Sequence, residues 1–137
     1  MKYKTHNDKE ICTDGTWLQG HVYCSYETLV SLFGEPSERY DDYKCDAHWD
    51  VELEDGEVAT IYNWKNGINY CGVNEGIPTE KITAWNIGGH GDKQVVDAIK
   101  SLARESKDAI INDLKMQVEG LKHNLELAEQ ETHRLLK

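Results

Sequence analysis

The chain has 137 residues, enough for one domain and an appendage, and carries a formal net charge of −10. The charge is uneven: residues 1–91 hold 16 acidic against 7 basic residues, whereas 92–137 hold 9 against 8. Ten of the acids lie between Glu35 and Glu57, opposed only by Arg39 and Lys44. Such a field repels phosphate backbones, which argues against ordinary nucleic-acid binding, and it attracts basic protein surfaces.

No apolar run approaches the roughly 20 residues that span a bilayer, and MKYKTHNDKE at the start has no apolar signal core. A cytoplasmic protein is expected. Cys12, Cys24, Cys45 and Cys71 form no CxxC pair, so reduced thiols are expected too.

In chain order, residues 1–15 show no periodicity and read as a flexible tail or a short edge strand. Trp17 to Cys24 reads as a strand. Ser25 is a helix N-cap, followed by Tyr26, Leu29, Val30 and Phe33 at helical spacing, and Gly34 and Pro36 stop that helix.

The central stretch is Cys45 to Trp64. Ala47, Trp49, Val51 and Leu53 alternate with polar residues, the period-2 signature of a half-buried strand. Asp55-Gly56 predicts a two-residue hairpin turn, with Glu54 paired to Glu57. That register sets Leu53 against Val58, Val51 against Thr60, Trp49 against Tyr62 and Ala47 against Trp64, all on one face.

Lys65-Asn66-Gly67 is a second turn, and Ile68 to Cys71 reads as a short return strand. Ile82 to Ile87 is the last strand. It runs into Gly88-Gly89-His90-Gly91, after which a helix opens near Asp92 with Val95, Val96, Ile99, Leu102 and Ala103 as its apolar stripe. The expected class is α+β: a small antiparallel sheet with a central β-hairpin packed by two helices, over residues 16–104.

Residues 105–137 differ in kind. With Ile111 at heptad position a, the a and d positions are Ile111, Leu114, Val118, Leu121, Leu125, Ala128, Thr132 and Leu135, of which only Thr132 is polar. A homotypic coiled coil follows as the expectation, and β-branched residues at the early a positions with Leu at d favour a parallel dimer.

Several stretches could carry chemistry. Glycines before a helix can cradle an anion, but no Lys-Ser/Thr follows to complete a phosphate loop. Tyr62, Asn63, Trp64, Lys65, Trp85, Gly88, Gly89 and His90 together offer rings and polar groups suited to a nucleotide-like ligand. His21-x2-Cys24 and Cys45-x2-His48 have zinc-like ligands, yet i and i+3 on a strand point to opposite faces, so no metal and no cofactor is expected. No Ser/His/Asp or Cys/His set stands in a recognisable catalytic context.

The runs LFGEP at 32–36, ELEDGEVATIYNWK at 52–65 and WNIGGH at 85–90 resemble a family of small bacteriophage proteins. The likeness spans roughly residues 16–103. Glu57 stands where that family often has Thr, and Asn86 where it often has His. The resemblance implies an accessory protein acting inside an infected bacterium, without an assigned reaction.

The expectation drawn from all this is a non-enzymatic counter-defence protein. It would be a homodimer inhibiting a host immune protein, such as a nuclease effector, through Glu38, Asp41, Asp42, Asp46, Asp50, Glu52, Glu54, Asp55 and Glu57. The alternatives are sequestration of a small nucleotide immune signal in the aromatic, glycine-rich stretch, or a small nucleotide-processing enzyme.

Overall fold

The computed structural model describes residues 2–38 and 43–135. It divides into a unit of residues 1–104 and a second of residues 105–137. The first is an α+β domain built on a five-stranded antiparallel sheet. Its strands are β1 (Tyr3–Thr5), β2 (Trp17–Tyr23), β3 (His48–Leu53), β4 (Val58–Tyr62) and β5 (Ala84–Gly89), ordered β1-β3-β4-β5-β2. Among the described residues there are three α-helices, α1 (Tyr26–Phe33), α2 (Ile68–Cys71) and α3 (Lys93–Leu135), which runs on into the second unit, and a 3-10 turn at Thr79–Lys81.

The helix signals act as the residues dictate. The Ser25 side chain accepts from the Thr28 amide and starts α1, and Gly34, at φ 80°, takes the left-handed turn that ends it. The Asp92 carboxylate accepts from the Gln94 amide at 2.9 Å and starts α3. Val95, Val96, Ile99, Leu102 and Ala103 are all buried. They join Leu29 and Phe33 of α1 over one face of the sheet, against Trp49, Val51, Ile61, Trp85 and Ile87.

Two indoles centre this core. The rings of Trp49 and Trp85 meet edge to face at 5.4 Å. Each buried N–H has a partner, Trp49 donating to the Gly34 carbonyl at 2.8 Å and Trp85 to the Cys24 carbonyl at 3.0 Å.

The structure decides three expectations. Of the two readings of residues 1–15, the short edge strand holds at Tyr3–Thr5, which pairs with Val51–Leu53. Ile68 to Cys71 is a helical turn and not a strand.

The hairpin register is the third. Val51 pairs with Ala59, Trp49 with Ile61 and His48 with Tyr62, one residue away from the expected pairing. The loop is Glu54-Asp55-Gly56, with the Leu53 amide donating to the Glu57 carbonyl at 2.8 Å and Gly56 at φ 88°. That is a three-residue hairpin loop closed by a left-handed glycine. A one-residue slip turns every side chain of β4 over. Ala59, Ile61 and Asn63 therefore enter the core, while Thr60, Tyr62 and Trp64 belong to the other face.

Candidate functional site

The face of the sheet away from the helices is polar, and strand pairing arranges it in rows. His48, Tyr62, Asn86 and His21 stand side by side across β3, β4, β5 and β2. Asp50, Thr60 and Gly88 form the next row. His48 and Asp50 are two apart on one strand and so share a face, and their side chains meet at 2.6 Å (Nε2 to Oδ1).

Asp50 is only 8% exposed. Its backbone amide donates to Nδ1 of His6, whose other ring nitrogen lies 2.8 Å from the Glu35 carbonyl. His48 stacks on Tyr62, with ring centroids 5.8 Å apart and planes at 17°. Burial raises the Tyr62 hydroxyl above its usual pKa, with the nearby Cys45 adding to this and a hydrogen bond with Asn86 opposing it.

Residues 13–17 run along this face and close a cleft of about 170 Å³. His48, Thr60, Tyr62, Trp64 and Gly88 of the sheet face line it, together with Trp17. A Cβ on Gly88 would collide with the Thr60 hydroxyl, so the close pairing of these strands requires glycine there. Trp64 is 43% exposed, a large ring left facing solvent at the cleft, whereas the Trp17 ring, 55% exposed, lies beside Gly91. Beyond residues 6–14 lies a wider, open groove of about 870 Å³ that carries Glu10, Asp14, Glu35 and Glu38.

The expected ligand residues separate. Tyr62, Trp64 and Gly88 line the cleft together. Lys65 is near it, its ammonium 5.8 Å from the Trp64 ring centroid, with the Lys44 ammonium at 5.3 Å.

Trp85 and Asn63 are fully buried and take no ligand. Asn63 accepts from the amides of Asp46 and Ala47 and donates to Asp46 and Asn66. Gly88 and Gly89 belong to β5 and not to an anion-cradling loop. Gly89 is buried, and an added Cβ there would come 3.6 Å from Val95. His90 is an exposed residue tied to the Asp14 carbonyl at 2.8 Å. The start of α3 already carries the Asp92 carboxylate, which opposes an anion there.

The expected acidic surface separates as well. Asp46 and Asp50 are internal partners, Asp46 accepting from the Asn63 amide group and the Asn69 backbone. Glu52 pairs with Lys9 at 3.1 Å. Asp41 and Asp42 lie outside the described residues. Glu38, Glu54 and Asp55 are exposed, and Glu57 is partly so.

Glu54 and Asp55 also line a groove of about 460 Å³ between the hairpin tip and α3, together with Leu53, Gln94, Asp97 and Ala98. Asp97 was not among the expected residues. Its place beside the tip depends on how α3 packs, which no local pattern states.

In the second unit, Ile111, Leu114, Val118, Leu121, Leu125 and Leu135 are all exposed along the helix. Among the described residues no three His, Cys, Asp or Glu side chains converge as a metal site, and no helix is long and apolar enough to cross a membrane. No family model, curated protein or solved structure matches the chain.

Proposed function

We propose that this protein is a non-enzymatic, oligomeric binding protein that captures a basic segment of a host defence protein, such as a nuclease effector, on behalf of a bacteriophage. The observation that carries the reading is the groove at the hairpin tip. Leu53 and Ala98 supply apolar surface, Glu54, Asp55 and Asp97 supply three carboxylates, and among the described residues no basic side chain lines it. A groove of that composition suits a segment with alternating apolar and basic residues.

The charge of the surrounding chain would speed encounter with such a partner and make it sensitive to salt. The apolar stripe from Ile111 to Leu135 supports self-association, which would multiply weak contacts into a durable complex. The phage setting rests on the LFGEP, EDGEVATIYNWK and WNIGGH runs.

Expression in bacteria that carry a nuclease-based defence should restore phage plating. Glu54→Lys combined with Asp97→Lys should abolish that restoration while thermal melting stays unchanged. Restoration that survives both charge reversals, or its absence in every such host, refutes the reading.

A further inference from the structure

The exposed stripe of the second unit has a second, more specific content than self-association. We propose that the stripe from Ile111 to Leu135 binds the same stripe of a second copy in antiparallel orientation, with Ile111 beside Leu135 of that copy. The inference rests on the self-association invoked above and on nothing about the captured partner.

Side-chain size is the first ground. Bulky residues crowd the start of the stripe and small ones its end, Ile111, Leu114, Val118, Leu121 and Leu125 preceding Ala128 and Thr132. Ala128 and Thr132 leave a shallow depression edged by Leu125, Glu129 and His133. In a parallel coil each residue meets its own copy. Ala128 against Ala128 then underfills one layer, and Thr132 against Thr132 buries a pair of hydroxyls. In the antiparallel register Val118 lies against Ala128 of the second copy and Leu114 against Thr132, so each small residue receives a large one. Leu121 meets Leu125 at the centre. All eight positions are partnered, and sliding by one heptad in either direction leaves two of them without a partner. The preference of Ile111 and Val118 for two parallel strands acts at two layers only.

Charge selects the same register. Lys115, Lys122 and Glu129 flank the seam at e, and Gln117, Asn124 and Glu131 flank it at g, all exposed. A parallel coil sets g of one helix against the next e of the other. That matches Gln117 with Lys122 and Asn124 with Glu129, and no opposite charges meet. Reversing one helix sets e against e and g against g. Lys115 of each copy then meets Glu129 of the other, and Gln117 meets Glu131. The one unfavourable contact is Lys122 against Lys122 at the centre, where each ammonium also lies 3.9 Å from Glu119 of its own helix.

The rest of the chain adds to this. Residues 1–91 carry 16 acidic against 7 basic residues, and in each copy they precede the coil. A parallel coil brings the two starts together. With Ile111 beside Leu135, the two Ile111 positions stand roughly 36 Å apart at about 1.5 Å per residue. That is more than four Debye lengths of roughly 8 Å, so repulsion between the copies is screened.

The test uses the full chain. Sedimentation of the unaltered protein should give a dimer. Lys115→Glu should weaken it roughly tenfold, because two ion pairs become two like-charge contacts, and Glu129→Lys should do the same. Both changes together should restore the starting affinity, since each swapped charge again meets its opposite. In a parallel coil these positions never meet, and the combined variant would recover nothing.

Disulfide trapping reads the orientation directly. The background carries Cys12→Ser, Cys24→Ser and Cys71→Ser, and the remaining Cys45 is buried. Val118→Cys chains mixed with Ala128→Cys chains in a glutathione redox buffer should form mainly the mixed disulfide. Val118→Cys pairing with itself in preference, or no recovery in the combined charge variant, overturns the antiparallel assignment and leaves self-association standing. A trimer or tetramer in sedimentation overturns the two-helix seam. A monomer at every concentration overturns self-association as well, and with it that part of the proposed function.

Discussion

Asn63→Ala is the substitution that most sharply separates a structural reading of the central stretch from a ligand-binding one. The Asn63 side chain is fully buried and makes four hydrogen bonds. Its oxygen accepts from Asp46 N at 2.6 Å and Ala47 N at 3.0 Å, and its nitrogen donates to Asp46 Oδ1 at 2.8 Å and Asn66 Oδ1 at 3.0 Å. At about 1 kcal/mol net for each bond, truncation costs roughly 4 kcal/mol, reduced where water reaches the partly exposed Asp46. We expect about 3–4 kcal/mol, a large share of the roughly 5–15 kcal/mol available to a domain. For a unit of about 100 residues that is a fall in Tm of roughly 15–30 °C. Asn63→Asp keeps the acceptor but sets a carboxylate oxygen against Asp46 Oδ1, so it should also destabilise. Adding Asp46→Asn restores a donor between the two and should recover at least half of that loss. Thermal and urea melts followed by tryptophan fluorescence measure all three. A loss below about 1 kcal/mol for Asn63→Ala, or a double variant no better than Asn63→Asp, would refute the reasoning.

Three further outcomes are expected. Leu114→Ala with Leu121→Ala should give a monomer in light scattering, since both side chains sit on the exposed stripe; a variant that stays oligomeric sinks the coiled coil. Gly120→Ala should stabilise the helix by about 1 kcal/mol, because an added Cβ there meets nothing within 4 Å; no gain in helix melting would contradict this. Burial pushes the Cys24 thiol from 9.0 up to about 11. The unfolded chain then loses its proton first, so this contribution to stability is fully present below pH 9 and is lost as pH rises toward 11. Discounted for partial exposure, the loss should be about 1 kcal/mol, and Cys24→Ser should remove it from urea melts compared at about pH 8.5 and 10.5. Parallel declines in both proteins would contradict the assignment.

Much of the fold was legible because its signals are local. Ser25, Gly34 and Asp92 bound helices by hydrogen bonds to backbone two to four residues away. The stripe from Val95 to Ala103 and the alternation from Ala47 to Leu53 each repeat at the period of their element, and all nine of those apolar residues are buried. The second strand of the hairpin lacked such a signal. Val58, Thr60, Tyr62 and Trp64 form one phase and Ala59, Ile61 and Asn63 the other, and both mix apolar with polar side chains. Counting the larger rings as the inward set favours the wrong phase. The three-residue loop decides otherwise, because Gly56 at φ 88° serves as its closing residue and not as the second residue of a two-residue turn.

That single residue of register explains most of what the sequence withheld about the site. With Tyr62 and Trp64 on the inner face there is no cleft, and Asn63 becomes a free polar group that invites a ligand. With them on the outer face, Asn63 is a buried strut, and the two rings join His48 and Thr60 around an opening. The His48 and Asp50 pair could have been read at once, since i and i+2 on any strand share a face. Its neighbours could not. Asn86 reaches Tyr62 only because β5 lies beside β4, and His21 reaches Asn86 only because β2 returns to the edge of β5. Trp17 reaches the cleft only because β2 pairs with β5 some 70 residues later, a contact with no counterpart in local pattern. Those long-range pairings decide whether the aromatic rings of this chain are core or surface, and they place Trp49 and Trp85 in the first group and Trp17 and Trp64 in the second.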